Sequence, residues 1–476
     1  MKILETSVFR GPNIYAKFPV IRHVVDIGVL EDWPSAKIGD DFIEALLDAL
    51  PGLLEHGCSY REHGGFVRRL RENEGTWMAH IWEHMCIELQ NVAGLEVTFG
   101  RTRDAGETGV YNMVFQFEEE EVGLFASQLA LDFIHNLLPD ELIETGERVE
   151  GFDYTVEREK FIKFAQRKAL GPSTASLVNA GIARDIPWMR LNEYSLIQLG
   201  YGKYQKRIQA TITSETDYIA TDLASDKKAT NRILGDLGLP VPRQIAVTSP
   251  EEAVKAAKRI GFPVVVKPLD GNHGNGISIN LTTEKAVNEA FGFALEHNKR
   301  GGTVIVETFI QGLDHRMLVI DGKLEAVSKR IPGHIVGDGK STAAELIEVV
   351  NSDPRRGVGH EKVLTRLELD KTAKDHLAEV GYTKNDVPKD GEIVFLRSTA
   401  NLSTGGTAVD VTDIVHPDNR NMAERAIKAI GLDIGGVDFL SADISQSYKD
   451  IPAGICEVNA APGFRMHVAP SEGKSR

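Results

Sequence analysis

The chain has 476 residues, 42% hydrophobic and 26% charged, with a net charge of −15: room for two to four globular domains, and a poor match to nucleic acid. Its three scattered cysteines, Cys58, Cys86 and Cys456, exclude a disulfide framework and suit a reducing cytoplasm. It shows neither the charged-then-apolar pattern of a leader nor any apolar run near the ~20 residues of a membrane span, so no membrane partner is expected.

Residues 1 to about 160 read as one α+β domain. Strands are predicted at Lys2–Val8, Val20–Ile27 and Val110–Phe117, and helices at Phe42–Leu50, Trp77–Val92 and Glu121–Leu138. Glu118–Glu121 reads as a solvated acidic face. The second helix contains His80-Ile81-Trp82-Glu83-His84, with Glu88 one turn on. At roughly 100° per residue His80, His84 and Glu88 share a face. Two imidazoles four apart can hold Zn²⁺ while Glu83 serves as base for a bound water, in the H-x-x-E-H order. Helix geometry offers Glu88 as third ligand; Glu147 or Glu150 would come from further along. The competing reading packs both histidines against Trp77 and Trp82.

Tyr154 to about Leu170 reads as a charged linking helix. Gly171-Pro172-Ser173-Thr174 reads as a turn, with Ser173 either an N-cap or a hydroxyl aimed at a ligand. Ile208–Ile212 alternates as a strand and leads to Glu215. Asp226-Lys227 opens a helix, and Ser249 caps another that runs to Ile260. Val264–Val266 is a buried β-branched strand with Lys267 at its end, before the loop Gly271-Asn272-His273-Gly274-Asn275-Gly276. Such a loop can bring backbone N–H groups to phosphate oxygens while a lysine adds a point charge. The plainer alternative is a hairpin with a surface lysine.

Thr303–Glu307 is a second buried strand, leading to Ile310, Asp314 and Arg316. A hairpin turns at Asp321-Gly322, and residues 340 to about 390 read as a charged, mainly helical insertion. Gly436–Phe439 and Ile455–Asn459 are strands carrying Asp438, Glu457 and Asn459. Glu457 and Asn459 are two apart and share a face. Two carboxylates and an amide are hard oxygen ligands of the kind Mg²⁺ accepts. With Lys227 and Lys267 they form the complementary parts of a Mg·ATP site. Asp438 and Lys267 are expected to face a solvent-filled cleft, so that losing either barely affects stability.

From about Ser225 to His467 the order of these motifs resembles the ATP-grasp ligases. The resemblance implies an ATP-grasp domain over 161–476, with a mobile lid at about 225–312. It implies that Lys227 and Lys267 are the ATP lysines. Gly271, His273 and Gly274 then belong to the lid's phosphate loop. Glu307 meets the adenine amine, Ile310 gives a backbone contact and Asp314 holds the ribose. Asp438, Glu457 and Asn459 become the metal ligands. The segments DGNHGNGI, GLDHR, RIPGHIVGDGKST, RSTANLSTGG and EVNAAPGFRMH are similar to those of the cyanophycin synthetases. So is the stretch from SVFRGPNIYA through HIWEHMCIEL, which makes the resemblance cover the whole chain.

That family implies extension of an aspartate–arginine polymer by aspartate at its C-terminal end. The end carboxylate takes the γ-phosphate of ATP, and the amine of aspartate displaces phosphate from the acylphosphate. Arg316, Arg330, Arg397 and Arg465 are candidate cations for these anions. Ser173, Glu215 and Ser403 are candidates for gripping the polymer, and His273 for covering the reacting groups. The N-terminal domain would dock polymer and, with a live zinc site, cut it to make new ends. The resemblance further implies a homo-oligomer, a tetramer. The family's arginine-adding, Mur-ligase-like domain is not expected within these residues. Two other readings remain: an ATP-grasp ligase for another amino acid or peptide, and a non-ligating polymer binder.

Overall fold

The computed structural model describes residues 1–143, 147–269, 276–298, 301–357 and 363–476. The chain divides into two units, one of residues 1–170 with 180–205, the other of residues 171–179 with 206–476.

In the first unit the strand Val20–Asp26 buries Ile21, His23 and Val25 and leaves Arg22, Val24 and Asp26 partly open. This period of two builds a one-faced antiparallel sheet. Its order is Lys2–Phe9, Val20–Asp26, Val110–Gln116, Gly100–Asp104. The last of these, reading GRTRD, has no apolar alternation; it is an edge strand, mostly exposed, which hydrophobic periodicity does not reveal. The Met78–Val92 helix packs against the sheet and against the Glu120–Leu137 helix, and every residue from Met78 to Gln90 except His80 is buried. Trp82 anchors it, fully enclosed, with Nε1 donating to Ser127 O at 2.8 Å. The acidic run is paired rather than merely solvated: Glu119 with Arg190, Glu120 with Arg10 and Glu121 with Lys168. Opposite charges brought from distant segments supply the partners that a local reading cannot see.

In the second unit one antiparallel sheet runs Ser278–Leu281, Val264–Pro268, Val304–Thr308, Gln244–Val247, beneath the helices Pro250–Ile260 and Glu284–Glu296. Ser249 caps the first of these, its Oγ accepting from Glu252 N at 3.2 Å. A second sheet runs Thr407–Asp410, Lys323–Ile331, Leu313–Ile320, Ile434–Ser441, Ala453–Asn459. The Pro417–Ile430 helix packs on it through Met422, Ala426 and Ile427. A small body with its own core pairs His334–Val336 with Ile393–Phe395 and carries the helices Ala343–Asn351 and Lys371–Glu379.

Two local expectations are corrected. Residues 206–213 form a tight hairpin, Lys206–Gln209 against Ile212–Thr213, because Ala210 takes a left-handed φ of 52° and turns the chain. Pro172 opens the Pro172–Ile182 helix, so Ser173 lies inside it and is not its N-cap; proline's fixed φ suits the first helical position.

His315, on the Leu313–Ile320 strand, is 1% exposed, and burial pulls its pKa down to about 4. The unfolded chain takes up this proton near pH 6.5, the folded one only near 4. Stability should therefore be present above pH 6.5 and fall as pH drops towards 4, by on the order of 3 kcal/mol. Urea midpoints that decline no more steeply over this range in the wild type than in a His315→Asn variant would contradict this.

Candidate functional site

The ladder between Val264–Pro268 and Val304–Thr308 pairs Val265 with Glu307 and Lys267 with Ile305, which sets Lys267 and Glu307 diagonally on one face. Lys267 Nζ lies 2.7 Å from Glu307 Oε1, and Gln244 Nε2 donates to Glu307 Oε2 at 2.7 Å from the strand on the other side. Both Glu307 oxygens thus have partners.

In the five-stranded sheet Arg316, Asp438 and Glu457 stand level across three neighbouring strands, and Asp314 pairs with Arg330. Asp438 accepts from Arg316 Nε and Nη2 and, at 3.0 Å, from Arg330 Nη2. Arg330 also donates to Asp314 at 3.1 and 2.6 Å. Burial alone would raise Asp438, but the two guanidiniums outweigh it and hold the carboxyl below its ordinary range. Asp314, half-buried and bonded to Arg330 with Asp438 nearby, is raised, chiefly by desolvation. Glu457 sits 3.6 Å from Lys227, which opens a helix capped by Asp226. Asn459 Nδ2 is buried with no hydrogen-bond partner among the described residues. Ile310 packs over Gly454 of the same strand as Glu457. Cys456 lies beside Glu457 on this strand, its thiol crowded by protein atoms though its residue is partly open; that desolvation and Glu307 push it up, with further pressure from Asp314 and Asp438 against the pull of Lys267. One thiol therefore feels charges from both sheets.

Asp438, Glu457 and Asn459 fit a Mg²⁺ ion by donor chemistry, all three offering hard oxygens. The structure differs from the expected open acid cluster, because cations already occupy Asp438 and Glu457. Other expected site residues are held separately. Ser173 Oγ accepts from Phe464 N at 2.9 Å, and exposed Glu215 pairs with Lys206 at 2.6 Å. Arg397 is bonded to Asp370, and exposed Ser403 sits in the short turn Leu402–Thr404 capped by Asn401. Arg465 donates to Val363 O at 2.6 Å and Thr365 Oγ1 at 2.9 Å. Arg316 and Arg330 thus converge on one carboxylate, while Arg397 and Arg465 do not join them. Gly271, His273 and Gly274 lie outside the described residues.

The first unit holds a second constellation. Cys58, His80 and His84 bring one ligand atom each to within 4.8 Å of one another. His80 Nε2 lies 3.4 Å from Cys58 Sγ, while its Nδ1 meets Thr76 Oγ1 at 2.8 Å. His84 stacks on Phe66 with ring centres 4.0 Å apart. Burial, with Arg69 and Arg103 nearby, pulls His80 to about 4; burial together with His80 and His56 pulls His84 well down. Both imidazoles are thereby kept neutral, as metal ligands must be. Glu83 is 3% exposed and accepts from Thr102 Oγ1 at 2.5 Å. Burial pushes its pKa up to about 8, against the Thr102 hydrogen bond and Arg103. A Cβ at Gly100 would fall 2.1 Å from Glu83 Oε1, so only glycine leaves that carboxyl its place.

The third member of this cluster differs from the expected one. Glu88 does share the helix face, but its carboxylate goes to His56 Nε2 at 3.0 Å. Glu147 pairs with the Met1 ammonium, and Glu150 is exposed in a turn. Cys58 takes the place next to His80. It is 22 positions upstream in a short irregular turn, and no periodic pattern marks it. His56, Thr76 and Thr102 were likewise invisible to pattern.

Two family models match the chain: the cyanophycin synthase-like N-terminal domain at residues 22–139 and the ATP-grasp domain at residues 220–319. Cyanophycin synthetase from Crocosphaera subtropica is 46% identical over 481 residues, covering 100% of this chain and 54% of the relative. That of Nostoc sp. is 45% identical over 481 residues, covering 100% and 52%. Glutathione biosynthesis bifunctional protein GshAB of Enterococcus faecalis is 34% identical over 285 residues, 59% of this chain and 37% of that protein. A bifunctional glutathione synthetase from Pasteurella multocida shares the fold, with a TM-score of 0.54 at 21% identity over 97% of this chain and 80% of its own. Among the described residues no helix is long and apolar enough to cross a membrane.

The chain carries an ATP-grasp domain, and its lysines and acids are paired within the same unit. Over its whole length the chain is similar to the cyanophycin synthetases, and it spans about half the length of the curated relatives it matches.

Proposed function

We propose that the second unit adds aspartate to the C-terminal end of a cyanophycin primer, with ATP converted to ADP and phosphate. The observation that carries this is the alternation Asp314–Arg330–Asp438–Arg316 in the same unit as Lys227–Glu457 and Lys267–Glu307. Cations and hard oxygen donors interleaved in this way suit a triphosphate, a metal and two carboxylates brought together. Lys227 and Lys267 would serve the phosphates. Asp438, Glu457 and Asn459 would hold Mg²⁺, which would neutralise phosphate charge there. Arg316 and Arg330 would orient the chain-end carboxylate against the γ-phosphate. The chemistry asks mainly for positioning and electrostatic stabilisation, with water kept from the acylphosphate. In this reading the protein works in the cytoplasm as a homo-oligomer, a tetramer, and Glu215, Ser173 and Ser403 lie along the polymer's path.

The experiment is ADP release with Mg²⁺, a cyanophycin primer and each amino acid in turn. Aspartate should stimulate it and be incorporated; arginine should not be incorporated. Stimulation by another amino acid instead would favour a ligase of different specificity. ADP release without incorporation of any amino acid would remove the ligase reading.

A second reading, for the first unit, rests on Cys58, His80 and His84. They would hold Zn²⁺ through one sulfur and two nitrogens, the three-protein-ligand set of catalytic zinc. Glu83 would take a proton from a water attacking the polymer backbone. Cutting inside a chain makes ends, and ends are what an extending ligase consumes.

A further inference from the structure

We propose that His56 and Glu88 are positioning residues which set the tautomer of His84 and so its strength as a metal ligand. The inference rests on the metal reading of the Cys58, His80 and His84 cluster.

The contacts form a chain from Glu88 through His56 to His84. Glu88 Oε2 is 3.0 Å from His56 Nε2, and His56 Nδ1 is 2.8 Å from His84 Nδ1. A carboxylate only accepts, so His56 carries its proton on Nε2. With that proton on Nε2, His56 can accept at Nδ1. In that arrangement His84 donates from its own Nδ1, and its Nε2 keeps a lone pair for the cluster. His80 is treated in parallel: Thr76 Oγ1 takes its Nδ1, and its Nε2 faces Cys58. Each ring therefore has its Nδ1 held by an outer partner, which frees Nε2 for the cluster; that of His80 is 3.4 Å from Cys58 Sγ. An outer partner of this kind fixes ring orientation and makes the ligand nitrogen more basic.

The packing shows that the relay is built and not incidental. Glu88 is 7% exposed on a helix whose interior is otherwise mainly apolar. A Cβ at Gly52 would stand 2.0 Å from Glu88 Oε1 and 2.5 Å from its Cδ, so the backbone there gives way to this carboxylate. The His56 and His84 rings lie 5.1 Å apart at 44°, and Phe66 stacks on His84 from its own helix. Burying an acid here costs free energy unless it is bonded, and His56 supplies the bond.

The test is zinc affinity of the full chain by competition with a chromophoric chelator, alongside the visible spectrum of the cobalt-substituted protein. His56→Ala and Glu88→Gln should each weaken zinc binding about 10–100-fold and shift the cobalt bands, while aspartate-dependent ADP release stays at its wild-type level. Gly52→Ala alters no histidine and no carboxylate, yet should act in the same direction by pushing Glu88 off His56. It also keeps the test decisive if His56→Ala fails to fold. A wild type that holds zinc, with Glu88→Gln and Gly52→Ala binding as tightly and showing unchanged cobalt bands, would overturn the relay and leave the metal reading standing. A wild type that takes up no zinc would overturn both.

Discussion

Replacing Asp438 by alanine should abolish ADP release and also destabilise the protein by about 3–5 kcal/mol, the usual cost of leaving a buried charge without its partner. Asp438 is 13% exposed in its side chain and accepts from two guanidiniums; Arg316, 10% exposed in its own, has Asp438 as its ion-pair partner. The expectation drawn from sequence, that Asp438 faces open solvent and its loss is silent in stability, is therefore corrected. Asp438→Asn keeps the shape and should lose ADP release with a smaller loss of stability. Lys267→Ala should lower ADP release at least ~10²-fold, in line with other removed electrostatic stabilisers. Glu307 then keeps Gln244, so folding should suffer less. Near-normal turnover in Asp438→Asn or Lys267→Ala would remove these residues from the nucleotide site.

Glu83→Gln should stop the first unit from shortening cyanophycin in the absence of ATP, by about 10²–10⁴-fold if the carboxylate is the general base. The change is nearly isosteric, so the amide fits beside Gly100 and its oxygen can still accept from Thr102. Zinc should remain bound, because the ligand atoms belong to Cys58, His80 and His84. His84→Ala should lose the metal along with the activity, and Cys58→Ser should weaken metal binding. Unchanged shortening by Glu83→Gln would dismiss it as base. Zinc-free wild type with polymer of unchanged length would return these side chains to a packing role.

The parts of the fold that are written in one-dimensional pattern were legible beforehand. Val264–Val266, Thr303–Glu307 and the 77–92 helix announce themselves by β-branched runs or helical spacing, since burial of a continuous face forces that pattern. Gly100–Asp104 does not, because an exposed edge strand needs no apolar face; yet its Thr102 holds Glu83. In the site, His80, Glu83 and His84 were legible because one helix turn brings them together. Cys58 and His56 come from irregular chain 20 to 30 positions away, and only tertiary folding shows that they arrive. The same holds for Asp438. Its oxygen chemistry was readable from the residue type, but its two arginines come from other strands, and the register that levels Arg316 with Asp438 is a property of the sheet.

The ion pairs of the proposed nucleotide site bear on how its ligands would arrive. Lys227 leans on Glu457, Lys267 on Glu307, and Arg316 and Arg330 on Asp438. Among the described residues, each of the charges proposed above for Mg·ATP has a partner within the protein. A nucleotide alone would draw off the cations and strand the acids; a divalent ion alone would meet acids that are satisfied and repel it through their arginines. When both come at once, each side of every pair finds a new partner in the same event. If these residues hold Mg·ATP as proposed, the cleft would favour the two ligands arriving together over either one alone.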